Sequence, residues 1–402
     1  MLNHNQRKIV ESSEKSIFVV SGAGTGKTTV IFHRILYLLS KNAIPQSILV
    51  ISFTTKSVND IKKRFIRSTD NPVIKTFHGL AFSHSDCFFS KTLVDYDSPI
   101  FQQYDQQMLT EILAKKGVLT FKNMTTKPLS NYNAILTRFN LFDYIDLEIE
   151  FYNKLKEISF RTALQNQYLY ILVDEAQDMS IIQVNILKQL VNEHTSLVFV
   201  GDPDQSIYAF RGSQSTMVSK IIKDFNCTVH SLNDSYRCPK LVIDHSNKLI
   251  AHNRKRIKKN LVAHKSMDGI LEYHMFSDTK KEAEFVFSKI QYFVHEKIQI
   301  KDMIVLVRNH FQSNEIKRLL ALSYYQDLEC LSIHQAKGLE FKVVFIIGIT
   351  DDSRAYKIDI EEERRLLFVA MTRTKEALIM TSPQSKTVPR FIKEAGVKVT
   401  KH

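Results

Sequence analysis

SIFVVSGAGTGKTTVIFHRILYLLS, Ser16 to Ser40, decides how the rest of the chain is read. A β-branched apolar run, SIFVVS, ends in a glycine-rich turn that opens a helical run, VIFHRILYLLS. A buried strand leading through a tight turn into a helix is the repeating unit of a parallel α/β sheet. The turn also carries chemistry, because glycines let consecutive backbone N–H groups face phosphate oxygens while the helix N-terminus adds positive potential. Gly22, Ala23, Gly24, Thr25, Gly26 and Thr29 are therefore expected around a nucleotide, with Lys27 on its terminal phosphates and the Thr28 hydroxyl on Mg²⁺. Ser21 stands where the usual pattern begins with glycine, but close backbone approach depends mainly on Gly24 and Gly26.

The same texture recurs outward from this unit. SILVISF at 47–53, YLYILVDE at 168–175 and SLVFVGD at 196–202 are strand-length runs, each followed by a helix-length segment. A second series, GILEYHMF at 269–276, DMIVLVR at 302–308, ECLSIH at 329–334, KVVFIIG at 342–348 and EALIMTS at 376–382, repeats the pattern. The expected fold is α/β, with two doubly wound parallel-sheet domains and a helical insertion at 81–167 in the first. The first domain then comprises 1–80 and 168–231, and the second 232–402. NRKRIKKN at 253–260 is a basic run that suits either a solvated loop or a phosphate-contacting turn.

The 402 residues carry a formal net charge of +13, which favours a polyanionic partner. Cys87, Cys227, Cys238 and Cys330 are scattered without a CxxC pair, which argues against a disulfide framework and against zinc. MLNHNQRKIV is too polar for a signal peptide, and the longest apolar run, VVFIIGI at 343–349, is a strand's length rather than a membrane span. A cytoplasmic location without membrane contact is the expectation.

Hydrolysis needs a metal ligand and a water activator beside the phosphates. VDEAQD at 173–178 supplies both at a strand's end, Asp174 for Mg²⁺ and Glu175 for the water. Charge building on the γ-phosphoryl group calls for further cations, and Arg237 in NDSYRCP and Arg373 in VAMTRTK are the candidates. GDPDQSIYAFRGS at 201–213 adds two carboxylates, a glutamine, two rings and an arginine after another strand.

Taken in order, these motifs resemble those of superfamily 1A helicases of the UvrD/Rep/PcrA type. LNHNQ at 2–6 resembles the adenine-reading Q motif with Gln6 as reader, and SGAGTGKT, SFTTKSVNDI at 52–61 and KTFHGLA at 75–81 resemble motifs I, Ia and Ib. VDEAQD and GDPDQSIYAFRGS resemble motifs II and III, LNDSYRCPKLVIDHSN at 232–247 motif IV, SIHQAKGLEFKVVFI at 332–346 motif V, and EEERRLLFVAMTRTK at 361–375 motif VI. The resemblance implies two RecA-like motor domains with a 1B-type insertion, using ATP and Mg²⁺. It places Asp202 and Gln205 toward the nucleotide, with Gln205 sensing the γ-phosphate, Tyr236 on the adenine, Glu340 on the ribose, and Arg237 and Arg373 as arginine fingers. It places Thr54, Lys56, Phe77, His78, Tyr208, Phe210 and His334 toward single-stranded nucleic acid. Thr55 stands where the family commonly has Asn, and Phe210 where some relatives have Trp.

Relatives of this type insert a large 2B subdomain before motif V, whereas here only ALSYYQDLEC separates the RNHFQSNEIKRLL region from it. The implied activity is ATP-driven translocation on single-stranded DNA, 3′ to 5′, with separation of duplex DNA ahead. The alternative is a nucleic-acid-stimulated ATPase that serves as a regulatory or recruitment subunit in a DNA repair or anti-phage complex. Its protein partner would be a nuclease or another subunit.

Overall fold

A computed structural model gives the fold. It describes residues 2–402 apart from 66–70, 86–89, 97, 102–103, 105–107, 110, 114, 117–125, 208–215, 255, 266, 352–358 and 384–386. Two compact units divide the chain: Met1–Val20 with Lys27–Leu232, and Ser21–Gly26 with Asn233–His402.

The first unit is built on a six-stranded sheet of β1 (Ser16–Ser21), β2 (Ile48–Ser52), β3 (Val73–Thr76), β6 (Tyr170–Val173), β7 (Ser196–Gly201) and β8 (Thr228–Leu232), in the order β3-β2-β6-β7-β1-β8. The pairs β2·β3, β2·β6, β6·β7 and β1·β7 run parallel. Strands buried on both faces read as continuous apolar runs, and β2 is buried at every position. The helix Lys27–Ser40 buries Val30, Ile31, Ile35 and Leu38 in a core shared with Ile17, Val19, Val50, Val198 and Val200. Each such side chain contributes roughly 1.5–3 kcal/mol of burial.

The segment corresponding to the expected insertion holds β4 (Thr92–Leu93) paired with β5 (Leu141–Phe142) and the helices Lys127–Arg138, Tyr144–Lys154 and Ile158–Gln167. A separate small core of Phe101, Leu109, Ile112, Leu129, Tyr132 and Leu136 forms there.

In the second unit β9 (Asp234–Ser235) pairs with β10 (Val262–Ala263). The main sheet comprises β11 (Ile270–Met275), β12 (Met303–Val307), β13 (Cys330–Ser332), β14 (Phe341–Ile346), β15 (Thr374–Ser382) and β16 (Val399–Lys401). Its order is β13-β12-β14-β15-β11-β16 with every neighbouring pair parallel. Residues 322–329 lead directly from the helix Asn314–Ala321 into β13. Both sheets therefore have the parallel, helix-flanked build expected of RecA-like domains.

Candidate functional site

The register of the first sheet sets the site. Val173 pairs with Ile51 on one side and Phe199 on the other, so β2, β6 and β7 end side by side. Ligands of open parallel sheets bind at such carboxyl ends. The Asp174 N–H continues the ladder by donating to the Ile51 carbonyl at 2.8 Å. Glu175 then adopts φ +52°, a left-handed conformation that costs a non-glycine residue about 1–2 kcal/mol.

This turn brings carboxylates and an ammonium together. Glu175 Oε1 lies 3.0 Å from Lys27 Nζ, at the start of the helix Lys27–Ser40. Burial works against the charge on Lys27, yet the carboxylates of Glu175, Asp202 and Asp174 outweigh it and hold its pKa above the ordinary lysine range. Burial pushes the Asp174 carboxyl up to about 7, the adjacent Glu175 charge pushes the same way, and Lys27 offsets part of the shift.

Past β7, Asp202 Oδ1 accepts the Asp204 N–H at 3.0 Å and Asp202 Oδ2 accepts from Gln205 Nε2 at 2.7 Å. Gln177 joins this turn to the one after β6. Its Oε1 accepts the Asp202 N–H at 2.9 Å and its Nε2 donates to Glu175 Oε2 at 2.6 Å. Gln6 sits in the first turn of the helix His4–Val10, where Asn3 Oδ1 accepts its N–H at 2.8 Å and its own Oε1 accepts the Asn3 N–H at 3.1 Å. Arg34 secures the other end of that helix by donating to the Val10 and Ser12 carbonyls, each at 2.7 Å.

The glycine-rich turn groups with the second unit. Gly24 at φ +71° and Gly26 at φ +86° take conformations that a side chain would strain. Ser235 Oγ donates to the Ala23 carbonyl at 2.8 Å, the Tyr236 N–H to the Gly24 carbonyl at 2.9 Å, and Lys259 Nζ to the Ser21 carbonyl at 2.8 Å. Lys259 comes from the basic run and is buried, so that run is more than a solvated loop. Tyr236 is 37% exposed, and its ring centroid lies 4.5 Å from that of His264.

Arg237 and Glu340, 103 positions apart, meet: Arg237 Nε donates to Glu340 Oε2 at 2.8 Å, and Lys375 Nζ lies 2.7 Å from Glu340 Oε1. Burial would raise the Glu340 carboxyl, but Arg237 and Lys375 hold it below the usual range. Arg373 is 2% exposed and turned inward, donating from Nε to the Val369 carbonyl at 2.9 Å and from Nη1 to the Leu339 carbonyl at 3.4 Å.

The residues expected to face nucleic acid are scattered in environment. Thr54 and Lys56 are exposed, and Thr54 Oγ1 caps the helix Thr55–Lys63 by accepting the Ser57 N–H at 3.1 Å. Phe77 is buried in the core, and His334 is half-buried. His78 Nε2 lies 3.1 Å from Glu148 Oε1 with its ring stacked on Tyr144 at 4.5 Å. Tyr208 and Phe210 lie outside the described residues.

The sequence reading passed over Gln177, Ser235 and Arg34. The signal for Gln177 was present in VDEAQD, an amide between two carboxylates just past a strand, and Ser235 stands beside Tyr236 in NDSYRCP, whereas nothing local marks Arg34.

Comparison with known proteins shows the family. The profile described as UvrD/REP helicase N-terminal domain matches residues 2–130 and 101–226, and that described as UvrD-like helicase C-terminal domain matches 230–325 and 321–385. The chain belongs to the UvrD/REP helicase family. It is 29% identical to a probable DNA helicase of Mycoplasma pneumoniae over 95% of this chain and 83% of that protein. It is 30% identical to DNA helicase II of Haemophilus influenzae and 28% identical to the ATP-dependent DNA helicase PcrA of Bacillus subtilis, each over 79% of this chain. The chain spans about half the length of the latter two, 50% and 49%. Among the described residues no helix is long and apolar enough to cross a membrane.

Proposed function

We propose that the chain is an ATP-dependent motor that translocates 3′ to 5′ on single-stranded DNA and opens duplex DNA ahead of it. The observation that carries the reading is the Lys27–Glu175 contact of 3.0 Å at the carboxyl ends of parallel strands, beside the buried Asp174. A lysine held by carboxylates is set to exchange them for phosphate oxygens. Once Lys27 turns to the phosphates, Glu175 is released to orient and deprotonate the attacking water.

Thr28 and Asp174 would hold Mg²⁺, whose charge screens the phosphates when bound. Two adjacent carboxyls, one pushed up to about 7 by burial and by its neighbour, fit a divalent cation because its charge relieves that repulsion. Gln6 and Tyr236 are assigned to the base, Glu340 to the ribose, and Gln205 to γ-phosphate sensing. Arg237 and Arg373 are assigned to the charge that develops on transfer. Thr54, Lys56, Phe77, His78, Tyr208, Phe210 and His334 are assigned to the strand, with the buried Phe77 acting through the position of its neighbours.

A second reading, an ATPase that signals to a protein partner without processive unwinding, draws on the direct passage from the helix Asn314–Ala321 through residues 322–329 into β13. Steady-state ATPase with and without an oligonucleotide, beside strand displacement by the isolated chain, tests both readings. Stimulated turnover with displacement supports the motor, and stimulated turnover alone supports the second reading. Absence of turnover overturns both.

A further inference from the structure

Gln177 is fully buried, and both ends of its amide are engaged. Nε2 donates to Glu175 Oε2 at 2.6 Å and to Asp178 Oδ2 at 3.1 Å, while Oε1 accepts the Asp202 N–H at 2.9 Å. Its backbone carbonyl accepts from Ser206 Oγ at 3.4 Å. A Cβ on Gly201 would stand 2.7 Å from Oε1, so a side chain at residue 201 would press this amide out of its place.

We propose that Gln177 is a positioning residue that ties the Asp202–Ser206 turn to the water-activating carboxylate of Glu175, so that strand binding which shifts this turn reaches the carboxylate. This rests on the nucleotide and strand roles proposed above. The link has little slack. Flipping the amide would set Nε2 against the Asp202 N–H and Oε1 against two carboxylates, losing three hydrogen bonds in a buried site. A displacement of the Asp202–Ser206 turn therefore carries the amide with it, and the charge-assisted bond from Nε2 carries the Glu175 carboxylate. Leucine has neither a donor nor an acceptor, and glutamate keeps the acceptor for Asp202 but sets a third carboxylate against Glu175 and Asp178.

The test uses the full chain, with ATPase measured over a range of ATP concentrations with and without a saturating single-stranded oligonucleotide, and melting temperature measured alongside. In Gln177→Leu and Gln177→Glu the stimulated kcat is expected to fall about tenfold or more, the scale of a small misplacement of a catalytic group. KM for ATP should stay near wild type and the basal rate should fall less, so the stimulation ratio collapses. Gly201→Ala, which presses on the same amide from the other side, should reproduce this with Gln177 intact. An unchanged ratio, or losses that follow melting temperature alone across the three variants, overturns the proposal. A wild-type chain that hydrolyses ATP without any stimulation overturns the strand-driven function instead.

Discussion

At Glu175 a left-handed backbone, a carboxylate and a lysine contact coincide, so the effects of single substitutions here separate by what each removes. Lys27→Ala removes the phosphate cation and leaves the carboxylates without their counter-charge, so both nucleotide binding and turnover should weaken. Glu175→Gln keeps the shape and loses the base. Bound ATP should persist with little hydrolysis, which filter binding and quenched single-turnover assays would distinguish from simple loss of affinity. Arg373→Ala should lower kcat by about 10³-fold if its guanidinium leaves the Val369 carbonyl for the transferring phosphoryl group, and near-wild-type turnover would rule that role out. Phe210→Ala should cost roughly 1–3 kcal/mol of strand affinity through lost stacking while sparing basal ATPase. A basal rate that collapses together with solubility would mark Phe210 as core instead.

Among elements, the runs that alternate with helices were legible and the peripheral strands were not. Buried β2, β6, β7, β12 and β14 announce themselves as β-branched runs. β3 (VIKT), β8 (TVHSL) and β16 (VTK) are short, mixed in polarity and partly exposed, so only pairing with a neighbour defines them. The terminal helix Arg390–Ala395 illustrates how such peripheral pieces are held. Glu394 accepts from Arg364 Nε at 2.6 Å, Arg364 Nη2 at 2.9 Å and Arg390 Nε at 2.8 Å. Burial would raise its carboxyl, but these bonds outweigh burial and hold it below the ordinary glutamate range. A carboxylate with a depressed folded pKa stabilises above its unfolded value, about 4.3, and loses that contribution as pH falls through the folded one. Wild type should therefore melt higher than Glu394→Gln near neutral pH, and the gap should narrow as pH drops below about 4. A gap independent of pH would show that the ion pair contributes nothing.

For the whole molecule, the motor proposed above turns on the balance of stepping and grip. Each base-pair step opened costs about 1.4 kcal/mol of stacking, so a motor with little hold on the duplex slips between steps. The isolated chain should show strand-stimulated ATPase, directional displacement of a protein block, and unwinding of short duplexes only. Stopped-flow unwinding of duplexes of graded length checks this, and processive opening of long duplexes by the monomer would refute it.

The sequence by itself determined the α/β class, the glycine-rich turn, the carboxylates of VDEAQD and the ordered motifs that mark the UvrD/REP family, because each is written in consecutive residues whose chemistry is local. It did not show that Lys27 rests on Glu175, that Arg237 meets Glu340, that Arg373 is turned inward, or that Gln177 holds two motifs together. Those pairings join residues far apart in the chain or depend on side-chain direction. Strand register and burial decide them: a parallel sheet aligns the ends of distant segments, and a buried polar group must then take whichever partner that alignment supplies.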